Sequence, residues 1–294
     1  MKTAIIELGS NSCKVLLADQ KRGIKPLLDK RIPCRIAAFL SPAGELGPEG
    51  LKTILETIIQ AQKQLQEAEQ TFLIGTEALR RIADPQALGK AIKAKTGLDL
   101  RVLSAEEEAK MSFLGATAES ELKGKIVFFD TGGLSTEVVF AQGSRYKRCK
   151  IVNLGAVALA AKYLKKFPMA NSCFYGLEDQ ISSLLKFKSP HNPILIGTGG
   201  VVATCAAVAQ AMPDYDPKLL EGFILSRSEV FRQISLYRSM SLDEIKAVPG
   251  MDASRADTIL AGAMIILRMM DILGVSSLKV TTKGVRFGCL TSLK

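Results

Sequence analysis

The sequence predicts an α/β protein of two similar lobes facing each other across a cleft, and three observations predict it. The opening stretch "AIIELGSNSCKVLLA" (residues 4–18) overlays "VFFDTGGLSTEVVFA" (127–141) without a gap, placing Glu7 on Asp130, Gly9 on Gly132, Ser12 on Ser135 and Val15 on Val138. Each copy is a strand, an acidic residue, a glycine turn with hydroxyls and a second strand, which reads as a β-hairpin. Around the copies, short apolar runs alternate with helical periodicity, and neither a low-complexity segment nor a long linker interrupts them. The lobes are assigned to residues 1–118 and 119–294, with the last residues packing back on the first lobe.

The elements follow in order. Leu51, Ile54, Leu55, Ile58 and Ile59 have the spacing of one helical face. Residues 72–74 read as a strand leading into "GTEALRR". Asp84 before Pro85 starts a helix that Gly97 stops, and 98–103 is a strand. Ser104 and Glu107 form a capping box that opens a helix to about residue 118. Residues 194–196 form a strand, "GTGG" (197–200) a turn and 201–212 a helix. A helix over 254–274 precedes a strand at 278–281.

The formal charge is +10, with small basic groups such as Arg145, Lys147, Arg148 and Lys150, so polyanionic partners come first. No arginine-rich tail marks a specific nucleic-acid binder. The apolar run 259–273 is interrupted by Arg268 and Asp271 and is too short to cross a bilayer, so a buried helix and no membrane partner are expected. Six cysteines without a C-x-x-C pair point to reduced thiols in the cytoplasm, and the strand-like opening run leads us to expect no secretory leader. His191, the only histidine, lies in the loop "SPHNP", which removes histidine-dependent triads.

Three glycine turns, Gly9–Ser12, Gly132–Ser135 and 197–200, have the composition of anion-binding nests, and the third precedes a helix whose dipole adds to its donors. Together they read as a phosphate clamp. Glu7 and Asp130, at strand ends beside two of these turns, either close their turns with hydrogen bonds or hold Mg²⁺ between carboxylate and phosphate. Arg80 either grips phosphate or forms a surface salt bridge. Of three consecutive acids, dipole and capping account for Glu106 and Glu107, leaving Glu108 without an assigned structural task. Glu137 stands beside the apolar Val138 and Val139, either at an exposed edge or in a functional place.

These residues carry a resemblance. Through "ELGSNSCKVLLA", "GTEALRRIAD", "VLSAEEEAKMSFLGA", "FFDTGGLSTEVVF", "NLGAVALAAKYL", "IGTGGVVATCAAV", "GMDASRADTILAG" and "VTTKGVRFGCL" the chain resembles, nearly end to end, the exopolyphosphatase / guanosine pentaphosphate phosphohydrolase (Ppx/GppA) family in a short two-domain form. The resemblance implies two ribonuclease-H-like lobes of the actin/Hsp70/sugar-kinase superfamily, each with a mixed five-stranded sheet, and an active site in the cleft. It implies release of terminal phosphate from inorganic polyphosphate or pppGpp with Mg²⁺ (Mn²⁺ as substitute), and a homodimer. Glu108 matches the water-activating glutamate, Glu137 a second essential one, Asp130 the metal-associated aspartate and Arg80 a phosphate-contacting arginine. Gly9, Ser10, Asn11, Ser12, Gly132, Gly133, Ser135, Gly199 and Gly200 match the phosphate loops. Three positions depart from the family pattern: Glu7 replaces aspartate, Leu134 a third glycine and Phe287 a glutamate. The expected activity is exopolyphosphatase; the alternatives are a pppGpp phosphohydrolase and a polyphosphate/(p)ppGpp-binding sensor.

Overall fold

The structure is a computed structural model that describes every residue except Arg22, Ser120, Leu293 and Lys294. The chain divides into two compact units, Met1–Met111 with Val285–Lys294, and Ser112–Gly284.

The first unit is a five-stranded mixed sheet of β1 (Lys2–Leu8), β2 (Ser12–Asp19), β3 (Lys25–Pro33), β4 (Gln70–Gly75) and β5 (Leu100–Val102), in the order β3-β2-β1-β4-β5. β1 pairs antiparallel with β2 and parallel with β4, and every β1 residue from Thr3 to Leu8 is buried, as a central strand covered on both faces requires. One face packs on α1 (Pro48–Lys63), whose buried Ile54, Ile58 and Ala61 keep the 3–4 spacing of a core stripe. After the one-turn α2 (Glu77–Arg80), α3 (Pro85–Thr96) opens with the Asp84 carboxylate accepting from Ala87 N–H and closes on Gly97 at φ +75°. The C-terminal helix Val285–Ser292 covers the other face beside Ile5 and Leu16.

Helix α4 (Ala105–Thr117) starts with the capping box read from sequence: Glu107 N–H donates to Ser104 Oγ at 3.1 Å, and Ser104 N–H to Glu107 Oε2 at 2.9 Å. The division between the units falls inside this helix, after Met111, whereas the sequence boundary was drawn at residue 118. Its residues serve two cores: Met111 packs with the first unit's cluster, while the Phe113 ring sits edge-on to Phe128 in the second.

The second unit repeats the plan with β6 (Lys125–Thr131), β7 (Thr136–Gln142), β8 (Arg145–Val152), β9 (Ile194–Thr198), β10 (Ile224–Ser226) and β11 (Ser277–Val280), in the order β10-β11-β9-β6-β7-β8. The sheet therefore has six strands where five were expected. The extra strand, β10, pairs antiparallel with the outer edge of β11 over three residues, too few to carry a sequence period. Its helices are α5 (Ala156–Tyr163), α6 (Asn171–Leu184), α7 (Gly200–Ala209), α8 (Pro217–Leu220), α9 (Arg227–Ser239), α10 (Leu242–Lys246) and α11 (Ile259–Leu273); Val285–Ser292, in the first unit, is α12. α11 is the buried helix the apolar run predicted, with Ile259–Ile266 buried without a break. Among the described residues no helix is long and apolar enough to cross a membrane, and none of the six cysteines is bridged.

Candidate functional site

Both duplicated stretches are antiparallel hairpins closed by the same bond: Gly9 N–H donates to Ser12 O at 3.1 Å, and Gly132 N–H to Ser135 O at 2.9 Å. In both, turn carbonyls are tied to the start of a following helix. Ser10 O accepts from Ala37 N–H at 3.0 Å in the 3₁₀ turn Ile36–Phe39, and Asn11 O from Cys34 and Arg35. In the second turn Gly133 O, equivalent to Ser10 O, accepts from Val157 and Ala158, and Gly132 O accepts from Ala156 N–H, all at the N-terminus of α5. A trans peptide sets its N–H opposite its C=O. The bonds to Ser10 O and Gly133 O thus turn the N–H groups of Asn11 and Leu134, equivalent residues, to the opposite side, with Gly133 N–H beside the latter. Leu134 is not among the residues with positive φ, so its conformation does not call for glycine and the substitution leaves the amide in place. Gly155 does need its missing side chain: a Cβ there would lie 2.3 Å from Gly133 C and Leu134 N.

The first hairpin pairs Glu7 with Lys14 where the second pairs Asp130 with Glu137. Glu7 is 4% exposed; Lys14 Nζ donates to its Oε1 at 3.0 Å and Arg286 Nε lies 3.5 Å from its Oε2. Arg286 in turn donates to Asp29. Both oxygens of Glu7 thus face fixed cations, and the metal role expected for Glu7 does not fit this environment. Its carboxylate orients Lys14, whose side chain is 43% exposed. Behind the turn, burial pushes the Cys13 thiol up to about 12, which leaves it a packing group and not a nucleophile.

Also in the first unit, Arg80 at the end of α2 donates to Glu108 Oε2 at 2.5 Å and to Leu103 O at 3.0 Å. Both side chains keep partial access to solvent. Position at the start of α4 supplies Glu108, and the strand–turn–helix at 75–80 supplies Arg80, so two separate motifs meet in one ion pair.

In the second unit Asp130 is the penultimate residue of β6, and Ser112 Oγ donates to its Oδ2 at 2.8 Å. Its Oδ1 would lie 3.0 Å from a Cβ on Gly199, a residue at φ +103° whose Cβ would also press on Thr131 O at 2.6 Å. Only glycine fits there. Glu137 is 5% exposed and accepts from Ser135 Oγ at 2.6 Å, so it is a buried carboxylate and not an edge residue. Gly200 opens α7, and a Cβ on it would reach within 2.0 Å of Arg255 Cζ. That guanidinium is already paired, its Nε lying 3.3 Å from Asp252 Oδ2.

Sequence reasoning did not assign Ser112, Arg255, Lys14 or Arg286. Ser112 stands four residues after Glu108, one turn along α4, and that spacing was the available signal. His191 is exposed in its loop and joins none of these groups.

Among the described residues no three His, Cys, Asp or Glu side chains cluster as a metal cage. Mg²⁺ needs none, because one or two carboxylates plus phosphate oxygens suffice. Asp130, oriented by Ser112 and given space by Gly199, has the donor chemistry for it.

Each unit thus pairs a glycine turn bearing outward amides with an oriented carboxylate, features of a kind that phosphoryl-handling proteins use. The chain belongs to the Ppx/GppA phosphatase family, whose profile it matches over residues 16–294. It is 25% identical over 301 residues to the guanosine-5'-triphosphate,3'-diphosphate pyrophosphatase of Pseudoalteromonas translucida, covering 99% of this chain and 59% of that one. Against the bifunctional 3-dehydroquinate synthase/phosphatase of Fusobacterium nucleatum the identity is 24% over 294 residues, covering 92% and 43%. The chain thus spans about half the length of these two relatives. Exopolyphosphatase 1 of Mycobacterium tuberculosis is 22% identical over 304 residues, covering 99% and 87%. Among solved structures, the Aquifex aeolicus Ppx/GppA family member superposes with a TM-score of 0.91 at 24% identity, covering 100% of this chain and 97% of that one. The fold is that of the family.

Proposed function

We propose that the chain is a phosphohydrolase releasing terminal phosphate from inorganic polyphosphate, with guanosine pentaphosphate as the competing substrate. The observation that carries this reading is the shared construction of the two turns: carbonyls of both are tied back, and Asn11 and Leu134 offer equivalent amide donors. Relatives named exopolyphosphatase and pyrophosphatase agree with it. The charge of +10 favours the longer polyanion, and Arg145, Lys147, Arg148 and Lys150 all lie on the edge strand β8.

In this reading Asp130 carries Mg²⁺, which would neutralise phosphate charge when bound. Glu108 takes the proton of the attacking water, Glu137 is the second required carboxylate, and Arg80 contacts phosphate. A carboxylate paired with a guanidinium is a weak base, so arriving phosphate must draw Arg80 off Glu108 before that glutamate can act. Unbridged cysteines accord with a cytoplasmic setting.

The same ion pair favours a second reading, a sensor that binds without turnover. Phosphate release from polyphosphate and from pppGpp, each with Mg²⁺ and with EDTA, separates the cases. Mg²⁺-dependent release, faster from polyphosphate, is expected. Calorimetric binding of either compound with no release under any condition would establish the sensor instead.

A further inference from the structure

We propose that the second unit carries a binding site for an amphipathic monoanion, a carboxylate with a hydrocarbon tail, in the pocket among α6, α9 and α11. This pocket, of about 340 Å³, is lined entirely by those three helices and shares no residue with the turns and carboxylates described above. The apolar lining is Phe231 and Ile234 from α9 and Met264 and Leu267 from α11, each pair three residues apart, with Phe174 and Ile181 from α6. Phe231 remains 55% exposed at its edge.

The charge of the pocket sets the ligand class. Arg268, one helical turn beyond Met264, projects from α11 with its Nε buried and without a hydrogen-bond partner. No other bond or ion pair of Arg268 exists among the described residues, although a guanidinium carries five donors. Arg238 stacks on the Phe174 ring at 4.2 Å and donates to Asn171 Oδ1 at 2.6 Å, a neutral acceptor. Neither arginine has a carboxylate partner. Of the two acids at the pocket, Asp271 is engaged by Arg227 at 2.7 Å, and Glu178 is exposed and pairs with neither arginine. Two unneutralised guanidinium groups over an apolar floor complement an anion whose remaining surface is hydrocarbon. A carboxylate suits the floor better than phosphate, because a monoanion gives up less hydration on entering apolar surroundings.

The test uses octanoate and octanol as probes, with calorimetry and saturation-transfer NMR on the full chain. Octanoate should bind at least about tenfold more tightly than octanol, since only it can satisfy the guanidinium groups. Arg268→Met should remove that preference, and Ser235→Trp, which fills the pocket from its exposed lip, should remove binding of both. Phosphate release should be the same in both variants. Equal affinity for the two probes, or an octanoate affinity unchanged by Arg268→Met, would overturn the proposal. So would a dimer in sedimentation velocity that Ser235→Trp dissociates while octanoate fails to bind, because the pocket would then belong to a second copy.

Discussion

Ser112 Oγ donates to Asp130 Oδ2 at 2.8 Å, and the serine is wholly buried. A carboxylate that is to take a cation must be held in one rotamer, and this hydroxyl does so from the side. Ser112→Ala should lower stability by about 1 kcal/mol and raise the Mg²⁺ concentration needed for half-maximal phosphate release by about tenfold. Saturating Mg²⁺ should restore most of the rate. Asp130→Asn should not be rescued in this way.

Arg80 holds Glu108 at 2.5 Å, and the proposed function gives binding to the arginine and chemistry to the glutamate. Glu108→Gln should retain polyphosphate binding within about threefold and abolish release, because the amide accepts no proton. Arg80→Met should act in the other direction, raising KM with a smaller change in kcat. Steady-state release and calorimetry on the two variants give the split; undiminished release from Glu108→Gln would remove the proposed base.

The duplicated hairpins were legible because acid–glycine–serine spacing and two-residue periodicity are local properties, and the register that sets Asp130 opposite Glu137 follows from them. The capping box at Ser104 and the stop at Gly97 were legible for the same reason. What could not be read is what the third dimension adds. Glu7 looked like a metal ligand until Arg286, from the far end of the chain, appeared beside it. The sequence marks Leu134 as a departure but does not reveal its φ, and it gives no sign of the close approach at Gly155, because the backbone that glycine makes room for lies more than twenty residues earlier.

That contrast makes a paired prediction. Gly155→Ala would drive its methyl into the Gly133–Leu134 peptide, so a loss of about 2 kcal/mol or more and a marked weakening of phosphate binding are expected. Leu134→Gly should cost about 0.5–1 kcal/mol through added unfolded-chain entropy and leave phosphate affinity nearly unchanged. Chemical denaturation with pyrophosphate titration checks both. A large gain of affinity in Leu134→Gly would mean that the leucine does obstruct the turn.

Glu77, three residues before Arg80, gives a pH dependence. Burial raises its carboxyl above the ordinary glutamate value, with Arg80 and Arg81 pulling only partly the other way. The native state therefore keeps its proton to higher pH than the unfolded chain does. The associated stability is fully present below the unfolded value and is lost as pH rises through the folded one. Glu77→Gln should accordingly melt at a higher temperature than the parent near about pH 8, the difference shrinking toward about pH 4. A constant offset across that range would assign the effect to packing.

Arg286 closes the first hairpin's charge network, with Glu7 and Asp29 as its acidic partners and its own side chain only 10% exposed. Arg286→Met removes the cation and leaves a buried carboxylate facing Lys14 alone. Breaking such a pair from one side costs about 3 kcal/mol, mostly as uncompensated charge. Adding Glu7→Gln should then recover part of the loss, because the group left without its partner is itself neutralised. Urea denaturation of the two single variants and the double variant measures the coupling. Strict additivity would mean that Lys14 alone suffices to neutralise Glu7 and that Oε2 does not depend on Arg286, and would reopen that oxygen to a metal.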